Sequence, residues 1–288
     1  MRFFRSFSFS VMFFRSILSA EIREIDQFDS LIQEVSDQKT IVFLDIDETL
    51  IEMPIMLGGK AWRHYASHVL EKTMTPEQAA QVQAKLSYFI AKRVPCVPIE
   101  KNAQACLKSL QEKNMSIFCL TARGKEHWHD MAAADSEELT VLHLKQGGFD
   151  FSSLNTVEND PIFSHPSYAR GIFFAYPIED KGDLILELFA RTDLRPTKAV
   201  FVDDKRDNVS SVHNAFEKLK IPSVCFHYSH IDKYRTFDSL TAYIQLEKLF
   251  FEGRALSDAE AAAFKSAYMD KSPDEFFLEF LSCFEKAL

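Results

Sequence analysis

The sequence predicts an α/β fold: a Rossmann-like doubly wound parallel sheet carrying a helical insertion and a helical C-terminal extension. Two observations lead there. Residues 41–44 (Ile-Val-Phe-Leu), 117–120 (Ile-Phe-Cys-Leu) and 199–202 (Ala-Val-Phe-Val) are short apolar runs without polar alternation, as expected of strands buried on both faces. Between them lie segments with apolar residues at helical spacing, and strands alternating with helices build a parallel sheet of βαβ units. The composition agrees. A chain of 288 residues that is 47% hydrophobic and 26% charged is globular and long enough for a sizeable core.

Taken in order, residues 1–20 hold Arg2, Arg5 and Arg15, no acid, and six of the 27 phenylalanines. Basic residues first, an apolar stretch over 7–14 and Ala20 as a cleavage position suit a secretory signal. Arg15 and Leu18 depart from that pattern and suit an amphipathic leader, so export and a cytoplasmic location both stay open. Residues 21–51 and 98–235 are expected to form the core, 52–97 a helical insertion and 236–288 a helical extension. The insertion carries the capping box Thr75-Pro76-Glu77-Gln78, with proline at the first helical position. A helix is predicted over 99–113 with Asn114 as its C-terminal cap, a strand over 171–176, a helix over 181–190, and a helix through Val209, Val212, Ala215, Phe216 and Leu219. A further strand follows Pro222 at 223–226. In the extension, Ser257 with Glu260 and Ser272 with Glu275 are N-terminal capping signals.

The formal charge of -9 makes nucleic acid an unlikely principal partner, since phosphate backbones need a concentrated basic patch. No run approaches the roughly 18 apolar residues of a membrane span. Five cysteines, Cys96, Cys106, Cys119, Cys225 and Cys283, are odd in number and widely spaced, which argues against a disulfide framework and leaves the compartment open.

Open parallel sheets bind ligands beyond the carboxyl ends of their strands. The residues expected there are Asp45, Asp47, Thr121, Arg123, Lys181, Asp203 and Asp204. Clustered carboxylates repel and rise in pKa unless a cation is bound. Hard oxygen ligands without Cys or His favour magnesium, while a lysine and a hydroxyl at the same edge suit phosphate oxygens.

Asp45-Ile46-Asp47-Glu48-Thr49 after an apolar strand resembles the first motif, Asp-x-Asp-x-Thr, of the haloacid dehalogenase-like (HAD) superfamily. Thr121, Lys181 and the pair Asp203-Asp204, with Asn208 behind, follow in the order of its other motifs. The resemblance spans about residues 38–230, and Pro54, Leu57-Gly58-Gly59 and Trp62 are similar to an uncharacterised bacterial subfamily. It implies that Asp45 is the nucleophile, forming an aspartyl-phosphate, and Asp47 the general acid and base. Thr121 and Lys181, with Arg123, would hold the phosphoryl group. Mg2+ would sit between the Asp45 carboxylate, the Asp47 backbone carbonyl and Asp204, with Asp203 a second ligand or a partner behind it. Insertions at 52–97 form a substrate-selecting cap in the family.

Other readings compete residue by residue. Thr121 also suits the cap of a following helix, a lysine near a helix start is usually solvated, and Arg123 alternatively pairs with a surface acid. His127 and His129, flanking Trp128, would diverge by roughly 200° if helical, which favours packing over a metal site. Trp62, His64, Tyr65 and His68 are mostly expected to pack the insertion. The combined expectation is a Mg2+-dependent phosphomonoester hydrolase acting on a small phosphorylated substrate. Phosphotransfer on the same site and a non-catalytic exported binding protein of the same fold are the alternatives.

Overall fold

The computed structural model describes residues 20–35, 39–113, 115–129, 131–151, 164–178, 180–192, 194–231, 236–268 and 270–287. The leader before Ala20 and the helix cap expected at Asn114 lie outside them.

The sheet contains β1 (Glu21–Ile25), β2 (Thr40–Leu44), β5 (Ser116–Gly124), β8 (Tyr168–Ala169), β9 (Ile172–Tyr176), β10 (Lys198–Asp203) and β11 (Ser223–Tyr228) in the order β1-β11-β10-β2-β5-β9-β8. Every pairing is parallel except β8 with β9. All five residues of β2 are buried because successive side chains face opposite helical layers. Val42 and Leu44 join Phe28 and Leu31 near α1 (Asp29–Glu34) and Cys106, Leu107 and Leu110 of α4 (Lys101–Glu112). Ile41 and Phe43 join α6 (Lys181–Arg191) and α7 (Arg206–Leu219) through Leu184, Leu188, Val212 and Phe216. The doubly wound parallel sheet expected from the apolar runs is therefore present. Strand order reverses between β2 and β10, so their carboxyl ends open the crevice where ligands bind in such sheets.

Three strands at the sheet edge and the insertion limits escape the sequence pattern. β1 adds to the sheet beside β11, but most of it is exposed, so it lacks the buried-strand signature. β3 (Ile51–Glu52) and β4 (Val97–Pro98) form a two-residue antiparallel stem at the limits of the insertion.

Within the insertion, α2 (Lys60–Leu70) and α3 (Pro76–Ala91) supply Trp62, Val69, Leu86 and Ile90 to an apolar cluster. The same cluster takes Ile244 and Leu249 from α8 (Ser239–Glu252), Ala261 from α9 (Asp258–Ala263), and Phe277, Phe280 and Phe284 from α10 (Pro273–Ala287). The insertion and the C-terminal helices thus share one core. Thr75 with Gln78 and Ser257 with Glu260 form the expected capping boxes. Ser272 and Glu275 likewise exchange backbone-to-side-chain bonds.

Candidate active site

The loop after β2 folds back on itself. Leu50 and Ile51 donate backbone N–H bonds to the Ile46 carbonyl, at 3.0 and 3.1 Å, and Glu48 adopts φ +59°. This left-handed residue is costly without glycine, and it is held by its N–H bond to the Ile51 carbonyl at 2.9 Å. Thr49 is placed to donate its hydroxyl to Asp45 Oδ2 (3.3 Å) and to accept the Asp204 N–H (3.2 Å). It staples the two strand ends together, a role the residue reading did not assign to it.

Lys181 opens α6, whose N-terminus is capped by Asp180 accepting the N–H groups of Gly182 and Asp183. The solvated reading of this lysine is wrong. It is fully buried, and its Nζ donates to Asp45 Oδ1 at 2.5 Å and Asp203 Oδ2 at 2.6 Å. Burial would lower its pKa, but the two carboxylates hold it above the ordinary lysine range. Close helix packing sets its position: a Cβ on Gly182 would lie 2.3 Å from Ser211 Oγ and 2.5 Å from the Ser211 carbonyl oxygen.

Asp45, Asp203 and Asp204 are buried, and each offers an oxygen within 4.8 Å of the others. Burial raises the pKa of Asp45, with Lys181 opposing and the neighbouring aspartates adding to the rise. Asp204 is also raised, by burial and then by Asp203, against the pull of Lys60, whose Nζ is 3.1 Å away. Asp203 accepts from the Lys205 N–H at 2.8 Å and from Asn208 at 3.0 and 3.1 Å, so its oxygens are occupied by the protein.

Asp47 points away from this cluster. Arg123 grips it bidentately, Nε to Oδ2 at 2.8 Å and Nη2 to Oδ1 at 2.6 Å. The surroundings would raise the Asp47 pKa, but the charge and bonds of Arg123, with help from Arg63, hold it well below the usual carboxylate range. Arg123 is buried, and its acid partner, itself partly exposed, lines the cleft. Thr121 caps no helix: β5 continues to Gly124, the next helix, α5 (Ser136–Gln146), begins later, and its hydroxyl accepts the Arg123 N–H at 3.2 Å. His127 and Trp128 form a short strand, β6 (His127–Trp128), paired with β7 (Met131–Ala132), and His129 has φ +50°. The helix assumed for this histidine pair is absent. Trp128 packs under Arg123, 4.9 Å from guanidinium carbon to ring centre.

Asp45, Asp47, Thr121, Arg123, Trp128 and Asp204 line a cleft of about 80 Å³ closed from the insertion side by Met53, Gly58, Arg63 and Ser87. Arg63 and the Lys60 N–H both bond the buried Glu48 carboxylate, which ties α2 to the loop after β2. A mainly apolar cavity of about 280 Å³, bordered by Met56, His64 and Phe237, lies beyond Lys60. Trp62 and Tyr65 pack against Phe277, and Tyr65 donates to Asp274 at 3.0 Å, while His68 is exposed.

The sheet and this edge define an α/β protein with a buried three-aspartate site beyond parallel strand ends. The chain belongs to the family described as Protein of unknown function (DUF2608), whose family model matches residues 21–262. It is 26% identical over 222 residues to a Chlamydia pneumoniae protein named "Putative outer membrane protein", spanning 76% of this chain and 80% of that one. A solved structure, the HAD domain of effector protein Lem4 from Legionella pneumophila (inactive mutant), aligns with 80% of this chain and 98% of its own, at 12% identity and a TM-score of 0.35. Among the described residues, no helix is long and apolar enough to cross a membrane.

Proposed function

We propose that this protein is a HAD-type, Mg2+-dependent phosphomonoester hydrolase working through an aspartyl-phosphate. The observation that carries the reading is the buried set of Asp45, Asp203 and Asp204 around Lys181. Three carboxylates so close carry more charge than Lys181 and the partly exposed Lys60 together neutralise, and they fit a divalent cation with hard oxygen ligands. The Asp45 and Asp204 carboxylates and the Asp47 backbone carbonyl would hold it. Asp203, already bonded on both oxygens, would hold Lys181 and Asn208 in place. When bound, the cation offsets phosphate charge and lowers the repulsion met by an attacking carboxylate.

Asp45 is the nucleophile of this reading. Lys181 and Thr49 fix its two oxygens, leaving a lone pair to attack phosphorus in line. Lys181 also offsets charge on the transferring group, and the Thr121 hydroxyl adds a polar contact. Asp47, held as a carboxylate, is suited to take the proton of the hydrolytic water. For the preceding step the substrate monoanion, present below and around the phosphomonoester's second pKa of about 6, carries the proton that goes to the leaving alcohol. Arg123 spends four of its five N–H groups on Asp47, Thr140 and His143, which leaves one on Nη2 for a phosphate oxygen. The small cleft suits a small phosphorylated substrate. The name of the Chlamydia relative favours export over a cytoplasmic location, which the N-terminal mass of the protein from its native cell would test.

The deciding experiment is hydrolysis of an aryl phosphate by the purified protein with Mg2+, with chelator, and as Asp45→Asn. Metal-dependent turnover that the substitution abolishes is expected. Asp45→Asn activity equal to wild type would overturn the assignment.

A further inference from the structure

We propose that His143 is a positioning residue for Asp47: a neutral imidazole protonated on Nε2 that locks the Arg123 guanidinium and anchors it to the end of helix α3. The inference rests on the reading above, in which Asp47 is the base that takes the proton of the hydrolytic water.

Three residues of α5, Ser136, Thr140 and His143, are buried at helical spacing and so fall on one face. Ser136 Oγ lies 2.8 Å from the Gly124 carbonyl and fixes that face against the end of β5. Thr140 donates its hydroxyl to the Ser136 carbonyl at 2.9 Å, so only lone pairs remain for Arg123 Nη1 at 3.3 Å. His143 Nδ1 is 3.2 Å from the same Nη1, and its Nε2 is 2.8 Å from the Ala91 carbonyl oxygen.

The tautomer follows from the partners. A carbonyl can only accept, so Nε2 carries the proton; a guanidinium can only donate, so Nδ1 is bare. An imidazolium would set an N–H against the Arg123 cation. Burial and then Arg123 depress the His143 pKa to about 4, against the bond to Ala91 and the charge of Asp47, so the ring is neutral across the physiological range. Both Nη1 protons are thereby engaged on α5, while Nε and Nη2 hold Asp47. The guanidinium cannot turn without breaking bonds on two sides. Ala91 is the last residue of α3, so a run of four groups links the insertion to the Asp47 carboxylate.

Three variants of the full chain separate positioning from bulk packing. His143→Asn keeps an acceptor near the Nδ1 position, His143→Gln keeps a donor near Nε2, and His143→Phe keeps only the ring. With an aryl phosphate and Mg2+, His143→Phe is expected to lose about tenfold or more in kcat with KM within about twofold. His143→Asn restores most of that loss, and His143→Gln does not. Long-range proton–nitrogen NMR of the wild type should show a bare Nδ1 and a protonated Nε2. The Arg123 Nε–H signal should be slow to exchange in wild type and His143→Asn, and broadened in His143→Phe. A protonated Nδ1 at neutral pH, or equal losses of kcat and Tm in all three variants, would overturn the proposal. Absence of Asp45-dependent turnover in the wild type would sink the hydrolase reading alone, because the NMR signals decide the His143–Arg123 geometry without turnover.

Discussion

Gln245 sits in α8 with no exposed surface, and its amide bonds groups far apart in sequence. Oε1 accepts the Leu57 N–H at 3.0 Å, and Nε2 donates to the Leu256 carbonyl at 3.1 Å and to Asp258 Oδ1 at 2.8 Å. Gln245→Leu keeps the volume and removes all three bonds. Asp258 still accepts the Met56 N–H at 2.8 Å and is partly exposed, so its loss is small. The Leu57 N–H and Leu256 carbonyl, both in buried residues, lose their partner at about 1–3 kcal/mol each. The added apolar surface returns about 1 kcal/mol, so the net cost is about 1–5 kcal/mol. Urea unfolding followed by circular dichroism measures it, with tryptophan fluorescence as a second probe because Trp62 lies in the affected core. A change below about 0.5 kcal/mol would refute the view that this amide joins the insertion to the C-terminal helices.

Two further expectations come from the site. Gly182→Ala should destabilise by about 1–3 kcal/mol, although glycine to alanine in a helix normally helps, because the new Cβ meets the Ser211 backbone; a raised Tm would contradict the close packing. The pKa of Asp45 is raised on folding, so the folded state keeps a proton the unfolded chain has lost, and metal-free stability falls as pH rises from the ordinary carboxylate range through that raised value. Mg2+ must displace this proton, so it should raise Tm more at about pH 8 than at about pH 5. Thermal melts with Mg2+ and with chelator check this, and an equal shift at both values would exclude Asp45 as the titrating ligand.

The central strands were readable because burial on both faces leaves an unbroken apolar run, and the aspartates stood out because acids are disfavoured beside such runs. Edge strand β1 was not readable, since its residues answer to one neighbour and to solvent. Lys181 was recognisable by order alone; its burial depends on aspartates from two other strands, which a local pattern cannot show. The residues around His127 misled because a strand and a tight turn leave the same polar-aromatic mix as an exposed helix. His143 was invisible for the opposite reason. A lone histidine on a helix without a marked apolar stripe acquires meaning only when Arg123 and the Ala91 carbonyl arrive from other elements.

The shared core also dictates an order of events during synthesis. Trp62 stacks edge-on against Phe277, with ring centroids 5.6 Å apart. Domains emerging from the ribosome fold from the N-terminal side first, and here the loop after β2 and the sheet precede the C-terminal helices that pack against α2 and α3. A nascent chain can assemble the aspartate edge while α2 and α3 still wait for α10. A chain stalled before α10 would leave the apolar faces of α2 and α3 without Phe277, Phe280 and Phe284.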